Sequence, residues 1–440
     1  MFKFTINLIL LIGFVFFGLS PAASAQKFEG LQREAAKDML KSVRNEIKKN
    51  YYDPSFGGKD VEAIFKDAEK QIEQATSMSQ AVAVIAQAVL DLNDSHTIFY
   101  PPSRTSKVEY GWQMQMIGDR CFVVAVKPGS DAEAKGLRPG DEIVTVDGFR
   151  PKRSDLWIMQ YFYYTLSPRS GIRLVVKSPN APEKPYQLDI SAQIKQLNRF
   201  VDLTSPDAIY DLIREAENEE RYYAHRFKKV DDVVIWSMPT FAFEPERVDS
   251  LVNDHVKDGR SLVLDLRGNP GGYVTTLEKL AGYFFDHDVK IADLKGRREM
   301  KPQVAESRGA KAFQGKVVVL IDSESGSAAE IFARLMQIEK RGIVVGDKSA
   351  GAVMRSRSYG QKTGVNSVML YGVSVTDADV IMSDGKSLEK VGVIPDELML
   401  PTAADMAAGR DAVLARAVEL AGGKITPEQA GKFFPVQWRK

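Results

Sequence analysis

Between Leu31 and Ile47 the apolar residues Ala36, Met39, Leu40, Val43 and Ile47 recur at a spacing that puts them on one helical face, which predicts an amphipathic helix. Tyr51-Tyr52-Asp53-Pro54 stops it, because proline lacks a donor and restricts the residue before it. Val61, Ile64, Phe65, Ala68 and Ile72 predict a second helix, and Ala81 to Leu92, preceded by the capping candidates Ser77 and Ser79, a third. A helical N-terminal segment over 26–103 is expected, with its last helix running into Asn93-Asp94-Ser95-His96-Thr97.

The texture changes at Tyr100-Pro101-Pro102 to short β-rich runs broken by Gly and Pro, and this persists to about Ile194. At its centre, CFVVAVKPGSDAEAKGLRPGDEIVTVDG reads strand, turn, a short helix at Asp131 to Lys135, tight turn, strand, turn, with Gly136 and Gly140 where the chain must turn sharply. From Asp232 the strand-like runs VVIWSM, SLVLDLR, KVVVLID and GIVVG alternate with helical stretches beginning near Glu244, Thr275 and Ser327. Uninterrupted apolar strands separated by helices predict an α/β core on a mostly parallel sheet buried on both faces. Active sites in such sheets gather outside the carboxyl ends of the strands.

Composition narrows the functional classes. The 440 residues carry 59 Lys plus Arg against 58 Asp plus Glu, so no global field favours a nucleic acid or an anionic membrane surface. Lys48-Lys49 and Arg297-Arg298 read as short solvated charges. Met1 to Ala25 combines Lys3, an apolar run from Leu8 to Leu19 and a small-residue ending Ala23-Ser24-Ala25. That is the pattern of a signal peptide cleaved after Ala25, too short in its apolar run for a membrane span, and it predicts a periplasmic or secreted protein without stable membrane insertion. Cys121 is the only cysteine. No intrachain disulfide can form, and its place in CFVVAV suits a small buried hydrophobe rather than a nucleophile.

Two stretches carry chemistry. Ser323-Glu324-Ser325-Gly326-Ser327-Ala328-Ala329-Glu330 follows a buried strand and opens a helix. Taken alone, Ser327 reads equally as an N-cap and as a nucleophile beside helix amides that favour developing negative charge. Asp265-Leu266-Arg267-Gly268-Asn269-Pro270-Gly271-Gly272-Tyr273 also follows a strand, and its glycines free backbone amides to face a ligand. It lacks the Lys-Ser/Thr pair of a P-loop. His225, His255 and His287 lie among charged residues without ligand spacing, so surface positions and no metal are expected.

Gly136-Leu137, Gly140-Asp141, Ile143, Val146 and Gly148 resemble the PDZ domain of bacterial proteases, here placed over 104–195. The resemblance implies capture of a peptide C-terminus as an added strand. Tyr110, Gly111, Trp112 and Gln113 occupy the place of its carboxylate loop, departing from the usual Gly-Leu-Gly-Phe. Together, the Asp-Leu-Arg-x-Asn-x-Gly-Gly and Ser-Ala-x-Glu motifs, Tyr51-Tyr52-Asp53-Pro54 and Gly392-Val393-Ile394-Pro395-Asp396 resemble the tail-specific, C-terminal-processing serine peptidases of family S41, from about Phe28 to Leu420. That resemblance implies a ClpP/crotonase-like peptidase core over 196–403 with a C-terminal helix and tail over 404–440, and no cofactor. It also implies polypeptide substrates with free C-termini, Ser327 as nucleophile, and the amides of Gly271, Gly272 and Ala328 as oxyanion hole.

One departure bears on the base. In the serine-lysine branch a lysine stands where this chain has Ala352, within Gly346-Asp347-Lys348-Ser349-Ala350-Gly351-Ala352. The tricorn-like branch instead uses a histidine preceded by serine, matched here by Ser95-His96, with a late glutamate matched by Glu389 and Glu330 left as a structural residue. An imidazole is suited to taking a hydroxyl proton near neutrality. Two alternatives stay open on the sequence: Lys348 as a displaced base, and a binding scaffold that has lost efficient proteolysis.

Overall fold

The structure, a computed structural model, describes residues 28, 30–102, 106–181, 183–196, 224–363 and 369–438. The signal-like stretch 1–25 lies outside them. Among the described residues no helix is long and apolar enough to cross a membrane.

The N-terminal helices are Gly30–Asn50, Val61–Gln74 and Met78–Leu90, with the predicted apolar positions buried. Asp60 and Ser77 cap the second and third, each accepting a backbone N–H three residues on, an arrangement worth about 1 kcal/mol apiece. These helices pack on Phe99, Tyr371, Val373 and Val375. Arg297, expected as solvated charge, instead donates to Tyr51 O and Lys49 O at the C-terminal end of the first helix, where a cation offsets the unpaired carbonyls.

The two glycine- and serine-bearing motifs follow strands of a six-stranded sheet ordered Glu397–Leu398, Ile343–Gly346, Lys316–Ile321, Ser261–Asp265, Val233–Ser237, Arg226–Val230. All pairings in it are parallel except the last. Trp236, Leu264, Val319 and Ile321 point to a core with Phe241, Leu277 and Phe332 from the helical side. The alternate residues Val233, Ile235, Val263, Val318 and Leu320 point to Val413, Leu414, Ala417 and Val418 of helix Ala412–Ala421. Burial on both faces is why these strands read as unbroken apolar runs.

Parallel pairing is confined to that sheet, so the expected mostly parallel core is corrected: the other sheets are antiparallel throughout, and antiparallel pairings predominate among the described residues. A second sheet pairs Ile98–Tyr100, Met354–Thr363 and Val289–Gly296 with the long strand Met369–Met382, and Gln303–Ala305 with Val289–Gly296. Met354–Thr363 reads MRSRSYGQKT and is mostly polar and partly exposed, so it carries no buried-strand pattern to announce itself.

Between these parts, residues 112–191 form a five-stranded antiparallel sheet ordered Trp112–Ile117, Arg120–Val126, Glu142–Val146, Gly171–Lys177, Tyr186–Ser191, which leaves Trp112–Ile117 at an edge. Helix Asp131–Ala134 and a helical stretch from Leu156 to Leu166 cover it, and Leu137, Val146 and Leu174 fill its own core. Cys121 is buried there, as expected, with burial pushing its thiol up to about 12.

Candidate active site

Strand Lys316–Ile321 ends in the turn Asp322–Gly326, and helix Ala328–Ile338 begins one residue after Ser327. Ser327 holds φ 52, ψ −118, a left-handed backbone that costs a non-glycine residue on the order of 1–3 kcal/mol and persists only where its surroundings impose it. They do so here. Asp322 Oδ1 accepts the N–H groups of Gly268 at 2.9 Å, Glu324 at 3.0 Å and Ser325 at 3.0 Å. Ser325 Oγ donates to Leu266 O at 2.8 Å, and Gly326 N donates to Asn269 O at 2.9 Å. The two sequence motifs are thus stitched together, and Ser325, fully buried, is structural.

Glu330, fully buried one turn into the helix, secures the other side. Its carboxylate accepts Ser349 Oγ at 2.6 Å and the N–H groups of Gly351 at 2.7 Å, Ala352 at 2.9 Å and Ser327 at 3.1 Å. Ser327 N also donates to Ala352 O at 2.9 Å. Burial pushes the Glu330 carboxyl up to about 7, against four donors that pull it down.

The partner of Ser327 arrives from the far end of the chain. Asn93 turns through φ 57 after the third helix, and buried Asp94 then anchors the loop. Its Oδ1 accepts His96 N at 2.8 Å, Thr97 N at 2.9 Å and Thr376 Oγ1 at 2.6 Å. Pairing of Ile98–Tyr100 with Gly372–Ser374 fixes the loop to the second sheet. His96 Nε2 thereby lies 3.2 Å from Ser327 Oγ. On its other side His96 Nδ1 lies 2.8 Å from Ser95 Oγ, which donates to Glu389 Oε2 at 2.7 Å. Glu389 also accepts Ser95 N at 3.2 Å and Val353 N at 3.0 Å.

With the Ser95 hydroxyl proton committed to Glu389, its oxygen is left to accept from His96 Nδ1–H. That assigns the tautomer whose Nε2 lone pair faces Ser327. Burial holds the His96 imidazole below its ordinary value, with Asp94 opposing, and holds the Glu389 carboxyl above its own, with Ser95 drawing it back.

The glycine turn packs directly on Ser327. A Cβ on Gly271, at φ 98, would sit 2.6 Å from Ser327 Cβ; one on Gly272, at φ 147, would sit 2.2 Å from Ala242 N and Phe241 C. Neither position admits a side chain without displacing backbone. Gly271 N already donates to Asn269 Oδ1 at 2.9 Å, and Asn269 Nδ2 to Met238 O at 2.8 Å. Of the expected oxyanion amides, those of Gly272 and Ala328 are the two that have no acceptor among the described residues. Arg267, in the same motif, is clamped by Asp265 and by Asp411 at the start of helix Ala412–Ala421.

Residues 233–399 match the family profile described as Peptidase family S41. Over that stretch the chain is similar to peptidase family S41. It is a serine-type peptidase. Relatives include a C-terminal processing peptidase of the chloroplast from Tetradesmus obliquus, 26% identical over 81% of this chain and 75% of that protein. Another is a carboxyl-terminal-processing protease from Picosynechococcus, 23% identical over 73% of each. Among solved structures, mature CPAF in complex with lactacystin superposes with a TM-score of 0.64 over 88% of this chain and 98% of that one, at 14% identity, a likeness of fold.

The remaining expected residues divide. Tyr110 and Trp112 turn their rings into the core of the five-stranded segment, and Tyr110 packs edge-on against Tyr164 at 5.4 Å. Their side chains are therefore not available to a ligand. Gly111, at φ 74, lies so close to Ser130 that a Cβ would meet its Cβ at 2.5 Å, and Gln113 is half-buried in the edge strand. Lys348 gives its backbone carbonyl to Arg153, and no hydrogen bond joins its side chain to Ser327. His225, expected at the surface, is half-buried and accepts Trp236 Nε1–H at 3.2 Å, with burial lowering it to about 4.

Sequence reasoning missed the residues that join the five-stranded segment to the site. Gln115 Nε2 donates to Asp322 Oδ2 at 2.6 Å, Ser323 Oγ to Met116 O at 2.6 Å, and Gly118 N to Asp347 Oδ2 at 2.9 Å. Arg153 donates to Asp347 Oδ2, Lys348 O and Gly118 O. None has a sequence signal, because each acts through hydrogen bonds between segments far apart in the chain. Asp94 did have one: it stands in the same five-residue stretch as His96.

Proposed function

We propose that this chain is an exported serine endopeptidase that cleaves polypeptides near a free C-terminus, with Ser327 as nucleophile, His96 as base, and Ser95 and Glu389 orienting the base. The observation that carries this reading is the unbroken line Ser327 Oγ, His96 Nε2, His96 Nδ1, Ser95 Oγ, Glu389 Oε2, with successive separations of 3.2, 2.8 and 2.7 Å across its hydrogen-bonded contacts. Ala352 contributes only backbone.

Each part then has a role. His96 Nε2 takes the Ser327 proton as Oγ attacks the scissile carbonyl carbon. The carbonyl oxygen becomes an oxyanion facing the Ala328 and Gly272 amides, whose dipoles are already set before charge develops. Glu389, through Ser95, favours the imidazolium formed at this stage. The imidazolium returns its proton to the leaving amine nitrogen, the C–N bond breaks, and a water molecule activated by the same histidine releases the acyl group from Oγ. No cofactor enters this scheme.

Capture of substrate belongs, on this reading, to the five-stranded segment acting as a PDZ domain. Its edge strand Trp112–Ile117 begins at the Gly111 turn, where backbone amides would take a carboxylate and the edge would take a peptide strand. The signal-like residues 1–25 support export to a periplasm or beyond the cell.

A fluorophosphonate probe tests the core of the proposal, since only an activated serine is phosphonylated. The wild-type chain is expected to label and to degrade an unfolded protein such as casein. Ser327→Ala should do neither while unfolding at an unchanged temperature. Casein degradation at the wild-type rate by Ser327→Ala would remove the nucleophile assignment, and absence of labelling in the wild type would favour a binding scaffold.

A further inference from the structure

The edge strand Trp112–Ile117 is free at one end and closed at the other. In its pairing with Arg120–Val126, Ile117 faces Arg120 across a two-residue loop and Met116 faces Cys121. Ile117 and Arg120 therefore form the hydrogen-bonded pair, and the polar groups of Met116 and, two residues earlier, Met114 point outward to the edge. Outward from Met116 stands the nucleophile turn: Ser323 Oγ donates to Met116 O at 2.6 Å, and the neighbouring Gln115 is bonded to Asp322. From the helical side Gln160 lies beside Glu324 of the same turn and opposes the rise that burial imposes on its carboxyl. The free edge of the strand thus ends where the turn carrying Ser327 begins.

We infer that this junction measures the substrate: the scissile bond lies a fixed, short distance of about five to nine residues upstream of the captured C-terminus. The inference rests on the capture reading above. A peptide whose carboxylate is held at Gly111 must run along the edge towards Met116, because that is the direction in which the strand leaves the loop. At about 3.3 Å per residue, the five steps from Gly111 to Met116 take up about five residues of ligand. There the Ser323 turn occupies the edge, and the ligand has to leave it. Ser327 is four residues farther along the turn, a span of at most about 14 Å, which an extended ligand covers in about four more residues. A chain captured at Gly111 consequently presents a narrow window of peptide bonds to Ser327, whatever its sequence.

The experiment uses the full chain and a set of unstructured peptides that share their last residues and carry a uniform repeat upstream, so every register offers the same side chains. The repeat is lengthened stepwise, and each peptide is made with a free and an amidated C-terminus. After brief digestion, mass spectrometry reads the C-terminal products. Products of about five to nine residues that keep their length as the repeat grows are expected from the free peptides, and Gln115→Ala, which unfastens the edge strand from the turn, should spread that distribution. Products that grow with the repeat would overturn the ruler while leaving C-terminal capture standing. Amidated peptides cut as fast as free ones would overturn capture, and the ruler with it. An unchanged distribution in Gln115→Ala would overturn the junction as its cause.

Discussion

Replacing Ser95 with alanine removes a single oxygen that serves two partners, accepting from His96 Nδ1 at 2.8 Å and donating to Glu389 Oε2 at 2.7 Å. On the proposed mechanism the imidazole becomes charged as the tetrahedral intermediate forms, and a hydrogen bond from a charged donor is worth about 1.5–3 kcal/mol. The ground-state imidazole is neutral and loses less, so most of that sum appears in the barrier. At 1.36 kcal/mol per decade, kcat should fall about 10- to 150-fold. Ser95 is in contact with the base and not with the space above the glycine turn, so KM should change little. The fold should hold, because Glu389 keeps its bonds from Ser95 N and Val353 N and Asp94 keeps the loop.

Steady-state kinetics on an internally quenched peptide, beside a thermal melt of the variant, make the measurement. A variant with kcat within twofold of wild type would show that the Ser95–Glu389 pair does nothing for catalysis. A raised KM with unchanged kcat would move Ser95 from the proton relay to substrate binding.

Three further outcomes discriminate among the remaining assignments. His96→Ala should cost about a hundredfold or more in kcat/KM and Lys348→Ala little. The acid limb of the wild-type profile should have its midpoint below the ordinary imidazole value of about 6.5, since burial favours neutral His96 and the neutral form is the base; activity is then gained as pH rises through that lowered value, and a midpoint above about 8 would point to a lysine. Gly272→Ala forces a Cβ to 2.2 Å from Ala242 N and Phe241 C, so chemical denaturation should show a loss of roughly 1–3 kcal/mol together with a fall in kcat; full stability and activity would mean that the glycine turn needs neither its backbone geometry nor its amide.

How much of this was legible in the sequence depended on how each element is buried. Val233–Ser237, Ser261–Asp265 and Lys316–Ile321 are covered on both faces and read as unbroken apolar runs, so the parallel sheet and the position of both motifs at its carboxyl edge could be foreseen. Met354–Thr363 could not be. Its partner Met369–Met382 supplies the register, and a mostly polar strand is held by a ladder that leaves no periodic trace. At the site, Ser327, His96 and Glu389 were reached through motif resemblance. The fastening residues Asp322, Gln115, Asp347 and Arg153 were not, because hydrogen bonds between distant segments have no spacing to read. Gly271 was foreseen as an oxyanion donor, but its N–H is committed to Asn269, a detail set by the turn's internal geometry.

The residue that made the sequence look deficient, Ala352, lies where the two halves of the site meet. Its carbonyl accepts Ser327 N, its N–H goes to Glu330, and the next N–H, that of Val353, goes to Glu389. Successive amides of one short segment thus hold the carboxylate that fixes the nucleophile's turn and the carboxylate behind His96. Backbone groups do this, so the segment ties the Ser327 turn to Glu389 whatever side chain stands at 352. A lysine is needed there only if the base must come from that segment. On the proposed reading, with His96 as the base 3.2 Å from Ser327 Oγ, the segment is left with positioning alone, and the smallest chiral side chain meets that requirement.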